Sequence, residues 1–103
     1  MVIIIIKKDN EDIEEISFLG HAQNIVCAAI STLLPATVNY IYLLEPDTVD
    51  YIDDSNLTVI KVLQKTKYNQ MFLKQMIRML QDIQEKYPQD ILLKEEESKW
   101  LVK

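Results

Sequence analysis

The hydrophobic and polar positions at the start of the chain predict two strands. Residues 2–6 form an unbroken β-branched run followed by two lysines, which is typical of a strand buried on both faces in the middle of a sheet. A polar turn at residues 9–11 precedes apolar positions spread over residues 12–19, where the adjacent Glu14 and Glu15 interrupt the alternation and indicate a bulge. We expect the two strands to pair as an antiparallel hairpin.

The first helix is predicted where the pattern changes from alternation to a continuous apolar run. Gly20 ends the second strand, and from Ile25 the sequence is apolar on nearly all sides and rich in alanine, which indicates a buried helix. Asn24, immediately before this run, is a favoured N-cap residue. Pro35 is expected to end the helix or to kink it near its last turn.

Two further strands are predicted in the middle of the chain. Residues 39–44 and 57–63 carry tyrosine, isoleucine, valine and threonine in short runs, as strands do. Residues 45–56 between them are acidic and contain a proline, so they predict an exposed loop.

The last third of the chain predicts one amphipathic helix and one strand. Apolar residues recur at helical spacing between residues 68 and 87, and Pro88 is expected to end that helix. Residues 91–93 predict a final strand before an acidic tail. The order β-β-α-β-β-α-β predicts a single α+β domain over residues 1–103, with a mixed sheet and two helices packed on one face as two layers.

Composition restricts the classes of function. The 103 residues suit one core, and 16 acidic against 11 basic residues give a net charge of −5. Nucleic acid is therefore not expected as a direct ligand, because phosphate binding requires clustered lysine and arginine. The apolar run at residues 2–6 falls far short of the roughly 20 residues needed to cross a bilayer, so we expect no membrane segment. A lone cysteine agrees with a reducing, cytoplasmic location.

The candidate chemistry lies where the second strand meets the first helix. The only glycine, histidine and cysteine of the chain, Gly20, His21 and Cys27, fall within eight consecutive positions. If Asn24 caps the helix, Cys27 is in the first turn, where free N–H groups and the helix dipole favour a thiolate. A short loop can bring His21 to the sulfur as its base, and Gly20 permits a sharp turn. Ser31 lies one turn below Cys27 and could orient a neighbour.

Two other interpretations of the same residues remain open. In an alanine-rich helix a lone cysteine is commonly a small buried hydrophobic residue, and the chain would then be a structural domain. A metal site is the weaker alternative, because one histidine and one cysteine leave a tetrahedral zinc site short of ligands. We expect neither a metal nor a cofactor.

The segment also resembles the ribosomal-processing cysteine proteases of the Prp family. Gly20-His21-Ala22 matches the family's Gly-His-Ala at the end of the second strand, and Ile25-Val26-Cys27-Ala28-Ala29-Ile30-Ser31 matches the opening of its first helix. The initial hairpin and residues 85–91 are similar as well. Two features depart from the family pattern: Asn24 replaces an aspartate, and the loop between His21 and Cys27 is shorter.

The resemblance implies a cysteine endopeptidase that removes a short N-terminal extension from the precursor of a large-subunit ribosomal protein. Cys27 would attack the scissile carbonyl, and His21 would act first as base and then as acid, with Gly20, Asn24 and Ser31 in support. A homodimer is implied too, and a basic ribosomal substrate is compatible with the acidic charge. The shortened loop motivates one alternative, a non-catalytic homodimer that binds a ribosomal protein or an assembly factor.

Overall fold

The computed structural model describes residues 1–54 and 56–97. Within them the chain forms β1 (Val2–Asp9), β2 (Asp12–Gly20), α1 (Asn24–Leu44), β3 (Val49–Asp54), β4 (Leu57–Val62), α2 (Lys67–Lys86) and β5 (Ile91–Glu97). The strands form one sheet in the order β3-β4-β2-β1-β5, in which β1 and β5 are parallel and the other pairs antiparallel. The predicted α+β fold with a mixed sheet is confirmed.

The initial hairpin contains the predicted bulge. Lys7 lies opposite Glu15 and Lys8 opposite Ile13, so Glu14 is the extra residue on β2. The buried side chain of Gln70 pairs with the backbone next to it, accepting from the Ile13 N–H at 2.7 Å and donating to its carbonyl at 2.9 Å. A side chain from α2 thus satisfies backbone groups beside the bulge, where the hydrogen bonds between β1 and β2 are interrupted.

Both helices cover the same face of the sheet. Val2, Ile4 and Ile6 of β1 are buried in one core with residues of α1 and α2, whereas Ile3 and Ile5 on the opposite face are only partly buried. The prediction that β1 is buried on both faces is therefore wrong. A two-layer arrangement leaves the second face of a central strand without a helix above it.

The strand predicted at residues 39–44 is the last part of α1. Leu34, Val38 and Ile41 are all buried, and their spacing continues the core-facing side of the helix past Pro35, which neither ends it nor starts a strand. Tyr40 stacks on Phe72 of α2 with ring centroids 6.0 Å apart. Burial of this face outweighs the strand propensity of the β-branched and aromatic residues.

The third strand lies inside the predicted acidic loop. In β3, Val49 is buried and Tyr51 partly buried on the side of the helices, while Asp50 and Ile52 are exposed on the other side. Carboxylates are tolerated there because β3 is an edge strand of the sheet.

The remaining elements agree with their predictions to within a few residues. β4 occupies Leu57–Val62, α2 begins at a capping box formed by Thr66 and Asn69, and β5 extends through the acidic segment to Glu97. The acidic segment is thus the outer part of an edge strand. The predicted single domain also includes residues 98–103, which lie outside the described residues.

Helix α1 is notable for its composition. Its 21 residues include no charged side chain, and by length and apolar composition alone it is long enough to cross a membrane. The core helix of a soluble protein passes the same test. Here one side of α1, from Val26 to Ile41, packs into the core against the sheet and α2.

Candidate active site

The first turn of α1 begins one residue earlier than predicted. Asn24 is already helical, and Gln23 is the N-cap residue, in an extended conformation and without a side-chain cap hydrogen bond. Its carbonyl accepts from the N–H groups of Val26 at 3.1 Å and Cys27 at 3.0 Å. The predicted capping role of Asn24 is wrong, because Gln23 takes that place. Cys27 nevertheless lies at the end of the first turn.

Gly20 is required by the backbone at this junction. Its φ angle of +86° is in the left-handed region, and a Cβ atom added to it would lie 2.5 Å from the carbonyl oxygen of Met1. Only glycine adopts this conformation without strain so close to another chain segment. The carbonyl of His21, the next residue, accepts a hydrogen bond from the Met1 amino group at 2.5 Å.

A groove of about 300 Å³ brings the candidate residues together. One wall is the exposed side of α1 with Cys27, Ser31 and Pro35; the end of β2 supplies Gly20 and His21. Asn24 is not among the lining residues. The structure thus gathers four of the five predicted site residues around one space large enough for part of a peptide chain.

The sulfur of Cys27 is enclosed by the peptide groups of one residue. The N–H of Ala22 donates to Sγ over 3.4 Å, and the thiol donates to the Ala22 carbonyl over 3.2 Å. His21 lines the same groove with an exposed side chain. In this state the thiol donates to the loop backbone, and its hydrogen bond to the Ala22 carbonyl must be broken before an imidazole can accept that proton.

The far wall of the groove comes from the β3–β4 hairpin and was missed by the sequence analysis. It includes Tyr51, Asp53 and Thr58, and the Thr58 hydroxyl donates to Oδ1 of Asp53 at 2.9 Å. Burial, followed by the nearby Asp53 carboxylate and Tyr42, raises the pKa of Tyr51 above its ordinary value. The alternation of residues 49–54 was the signal that could have placed these side chains opposite Cys27.

The fold and the groove define a two-layer α+β protein with a candidate thiol nucleophile beside a peptide-sized space. Comparison with known families narrows this class. The family model described as cysteine protease Prp matches residues 1–92, so the chain belongs to the Prp family of cysteine proteases.

Solved structures agree with this assignment. The essential ribosomal processing protease Prp of Staphylococcus aureus, in complex with a covalently linked product peptide, has a TM-score of 0.86 and 29% identity, covering 93% of this chain and 100% of that one. The same protease with a substrate peptide gives a TM-score of 0.86 and 26% identity over the same shares.

A third structure supports the fold alone. A Streptococcus mutans protein has a TM-score of 0.82 at 22% identity, covering 95% of this chain and 96% of that one. Among curated proteins, none matches the chain.

Proposed function

We propose that this chain is a cysteine endopeptidase that removes the N-terminal extension of a large-subunit ribosomal protein precursor. The observation that carries the proposal is the placement of Cys27 and His21 on one groove at the start of α1. The similar S. aureus protease is a ribosomal processing enzyme whose structures hold peptides, one of them covalently linked.

The proposed reaction starts with transfer of the Cys27 thiol proton to the imidazole of His21. The thiolate then attacks the carbonyl carbon of the scissile peptide bond, and the tetrahedral intermediate collapses to a thioester as the amine leaves with the proton from His21. His21 then takes a proton from water, and the resulting hydroxide attacks the thioester carbonyl. As the acid product forms, His21 gives the proton back to the departing sulfur. The Ala22 N–H, which already points at the sulfur, is a candidate donor to the oxyanion.

The walls of the groove fit a peptide with both apolar and basic side chains. Phe18, Leu34 and Pro35 present apolar surface, while Asp53 contributes a carboxylate on the far wall. The net charge of −5 would attract a basic ribosomal segment at long range.

Cleavage of an N-terminally extended ribosomal peptide, followed by mass spectrometry of the products, tests the proposal. We expect Cys27→Ala and His21→Ala each to lower kcat/KM by at least about a thousandfold, as loss of a nucleophile or its base does in related mechanisms. Thr32→Ala is the matched control, because Thr32 is exposed on the same helix and its hydroxyl donates to the Ala28 carbonyl. Equal cleavage by the Cys27→Ala variant would refute the role of the thiol.

A second function is favoured by the contact of the Cys27 sulfur with the Ala22 peptide. If the loop never leaves the thiol, the groove binds a ribosomal protein or an assembly factor without cutting it. Calorimetric binding of the extended peptide with no cleavage by the wild-type chain, and equal affinity of Cys27→Ala, would establish this alternative.

We propose a homodimer that forms through the uncovered face of the sheet. Leu92, Ile3, Leu19 and Leu57 lie directly opposite one another across four adjacent strands, on the side away from the helices. Leu92 and Leu57 are 40% and 39% exposed, and a continuous apolar row of this kind favours burial against a second copy. Light scattering should show a dimer for the wild type and a monomer for Leu19→Lys.

The proposed function also places the protein in the cytoplasm, where Cys27 stays reduced.

A further inference from the structure

The loop between His21 and Cys27 is attached to a distant turn of the chain. Nε2 of Gln23 donates a hydrogen bond to Oδ2 of Asp90 over 2.5 Å, across 67 positions of sequence. A carboxylate only accepts hydrogen bonds, so the amide nitrogen of Gln23 is the atom that faces it. We call this pair, Gln23 and Asp90, the tether.

Asp90 is itself held on both sides. Its N–H donates to the Tyr87 carbonyl at 3.0 Å, and its carbonyl accepts from the N–H of Val2 at 2.8 Å. The turn before β5 is thus fixed to the end of α2 and to the first residue of β1. Asp90 is therefore a rigid anchor for the loop.

Gln23 transmits this anchorage to the sulfur of Cys27. The tether holds the far end of the Gln23 side chain, and the Gln23 backbone nitrogen shares one planar peptide group with the Ala22 carbonyl, so the tether limits how far that carbonyl can turn. The same carbonyl accepts the thiol hydrogen bond from Cys27. The backbone carbonyl of Gln23 in turn accepts from the N–H of Cys27 at 3.0 Å.

From this arrangement we propose that Asp90 is a positioning residue, which acts through Gln23 to keep the Ala22 carbonyl hydrogen-bonded to the thiol of Cys27. A thiolate has no proton to donate to the Ala22 carbonyl and is repelled by its oxygen, so ionisation of Cys27 favours a turn of the Ala22–Gln23 peptide group away from the sulfur. The tether opposes that turn. The inference rests on the proposed function for the role of Cys27 as the nucleophile.

The rate at which iodoacetamide alkylates Cys27 at pH 7 measures the effect directly. Gln23→Glu places two carboxylates opposite each other and should release the loop, raising the rate about threefold to tenfold, the range for loss of one hydrogen bond. Asp90→Asn retains an acceptor oxygen for Gln23 but replaces a charged acceptor by a neutral one, so it should raise the rate by less than Gln23→Glu does. In the double variant Q23E/D90N the amide and the carboxylate exchange places, and the rate should return to that of the wild type.

A control variant in contact with β5, the strand that follows Asp90, tests whether a loss of overall stability alone raises the alkylation rate. Gln84→Ala removes a different glutamine hydrogen bond, from the Leu93 N–H to Oε1 at 2.9 Å, and should leave the alkylation rate unchanged. Urea unfolding of every variant separates loop release from global unfolding. If Gln23→Glu does not fold, Asp90→Ala releases the same loop and should give the same increase.

The proposal is overturned if the releasing variant reacts at the wild-type rate, or if Q23E/D90N stays as fast as Q23E. Alkylation needs no peptide cleavage, so it tests the tether independently of the enzyme activity. A chain with the expected alkylation rates that cleaves no extended peptide would contradict the proposed function and leave the tether in place.

Discussion

Replacing Gly20 by alanine should strongly destabilise the protein, because two separate costs meet at this residue. The left-handed backbone, with φ of +86°, costs an alanine about 1–2 kcal/mol. The new Cβ would also lie 2.5 Å from the Met1 carbonyl oxygen, a backbone atom that cannot rotate away. Relief of such an overlap costs roughly 1–3 kcal/mol.

The net loss is smaller than the sum of these costs. Alanine also restricts the unfolded chain, which returns about 0.4–1 kcal/mol of stability. We therefore expect Gly20→Ala to lower the free energy of unfolding by about 2–4 kcal/mol, a large share of the 5–15 kcal/mol typical of a domain. The midpoint of thermal unfolding should fall by roughly 8–32 °C, at about 4–8 °C for each kcal/mol.

Urea unfolding followed by circular dichroism measures this loss, provided that the m-value is unchanged. Asn10→Ala is the matched control: Asn10 also has a positive φ, of 58°, but it already carries a Cβ, so the variant introduces no new steric contact. Asn10→Ala should cost about 1 kcal/mol. If Gly20→Ala costs no more than Asn10→Ala, the close approach of Met1 to Gly20 is refuted.

Two further predictions concern residues outside the Cys27 loop. Gln70→Ala should cost about 2–4 kcal/mol in urea unfolding, because it leaves the buried N–H and carbonyl of Ile13 without their partner; a loss below about 1 kcal/mol would show that water replaces it. Burial, and then Asp53, raises the pKa of Tyr51 above its ordinary 10.0. The neutral phenol therefore stabilises the fold fully below pH 10, and this contribution is lost as the pH rises through the folded-state pKa. Tyr51→Phe should reduce the fall in unfolding free energy between pH 9 and pH 11, and an identical fall in both proteins would contradict the assignment.

The features that sequence predicted well depend on neighbouring residues. The hairpin and its bulge follow from residues 2–19, and α2 follows from its regular apolar spacing. The junction containing Gly20, His21 and Cys27 is equally local, so three unusual residues close together could identify the groove on which they lie. The roles assigned to His21 and Cys27 stay predictions, since the structure shows their placement and not their reaction.

The features that sequence missed join residues far apart in the chain. Gln23 and Asp90 are 67 positions apart, and neither has a local pattern that distinguishes it from an ordinary polar residue. The N-cap of α1 is a second feature that the local sequence did not predict correctly. Asn24 has the stronger intrinsic preference for the N-cap, yet the chain leaving Gly20 at a positive φ places Gln23 there.

The misplaced third strand and the misplaced end of α1 have one physical cause. Taking residues 39–44 as a strand required residues 45–56 to be a loop, and the element order stayed correct because one strand was exchanged for another. Burial of Val38 and Ile41 against the core keeps that segment helical. The true β3 then lines the groove, which brings Tyr51 and Asp53 to the same space as Cys27. The helical course of residues 39–44 therefore leaves β3 to line the groove, and under the proposed function substitutions at Tyr51 or Asp53 should alter peptide selection more than substitutions in the connection at residues 45–48.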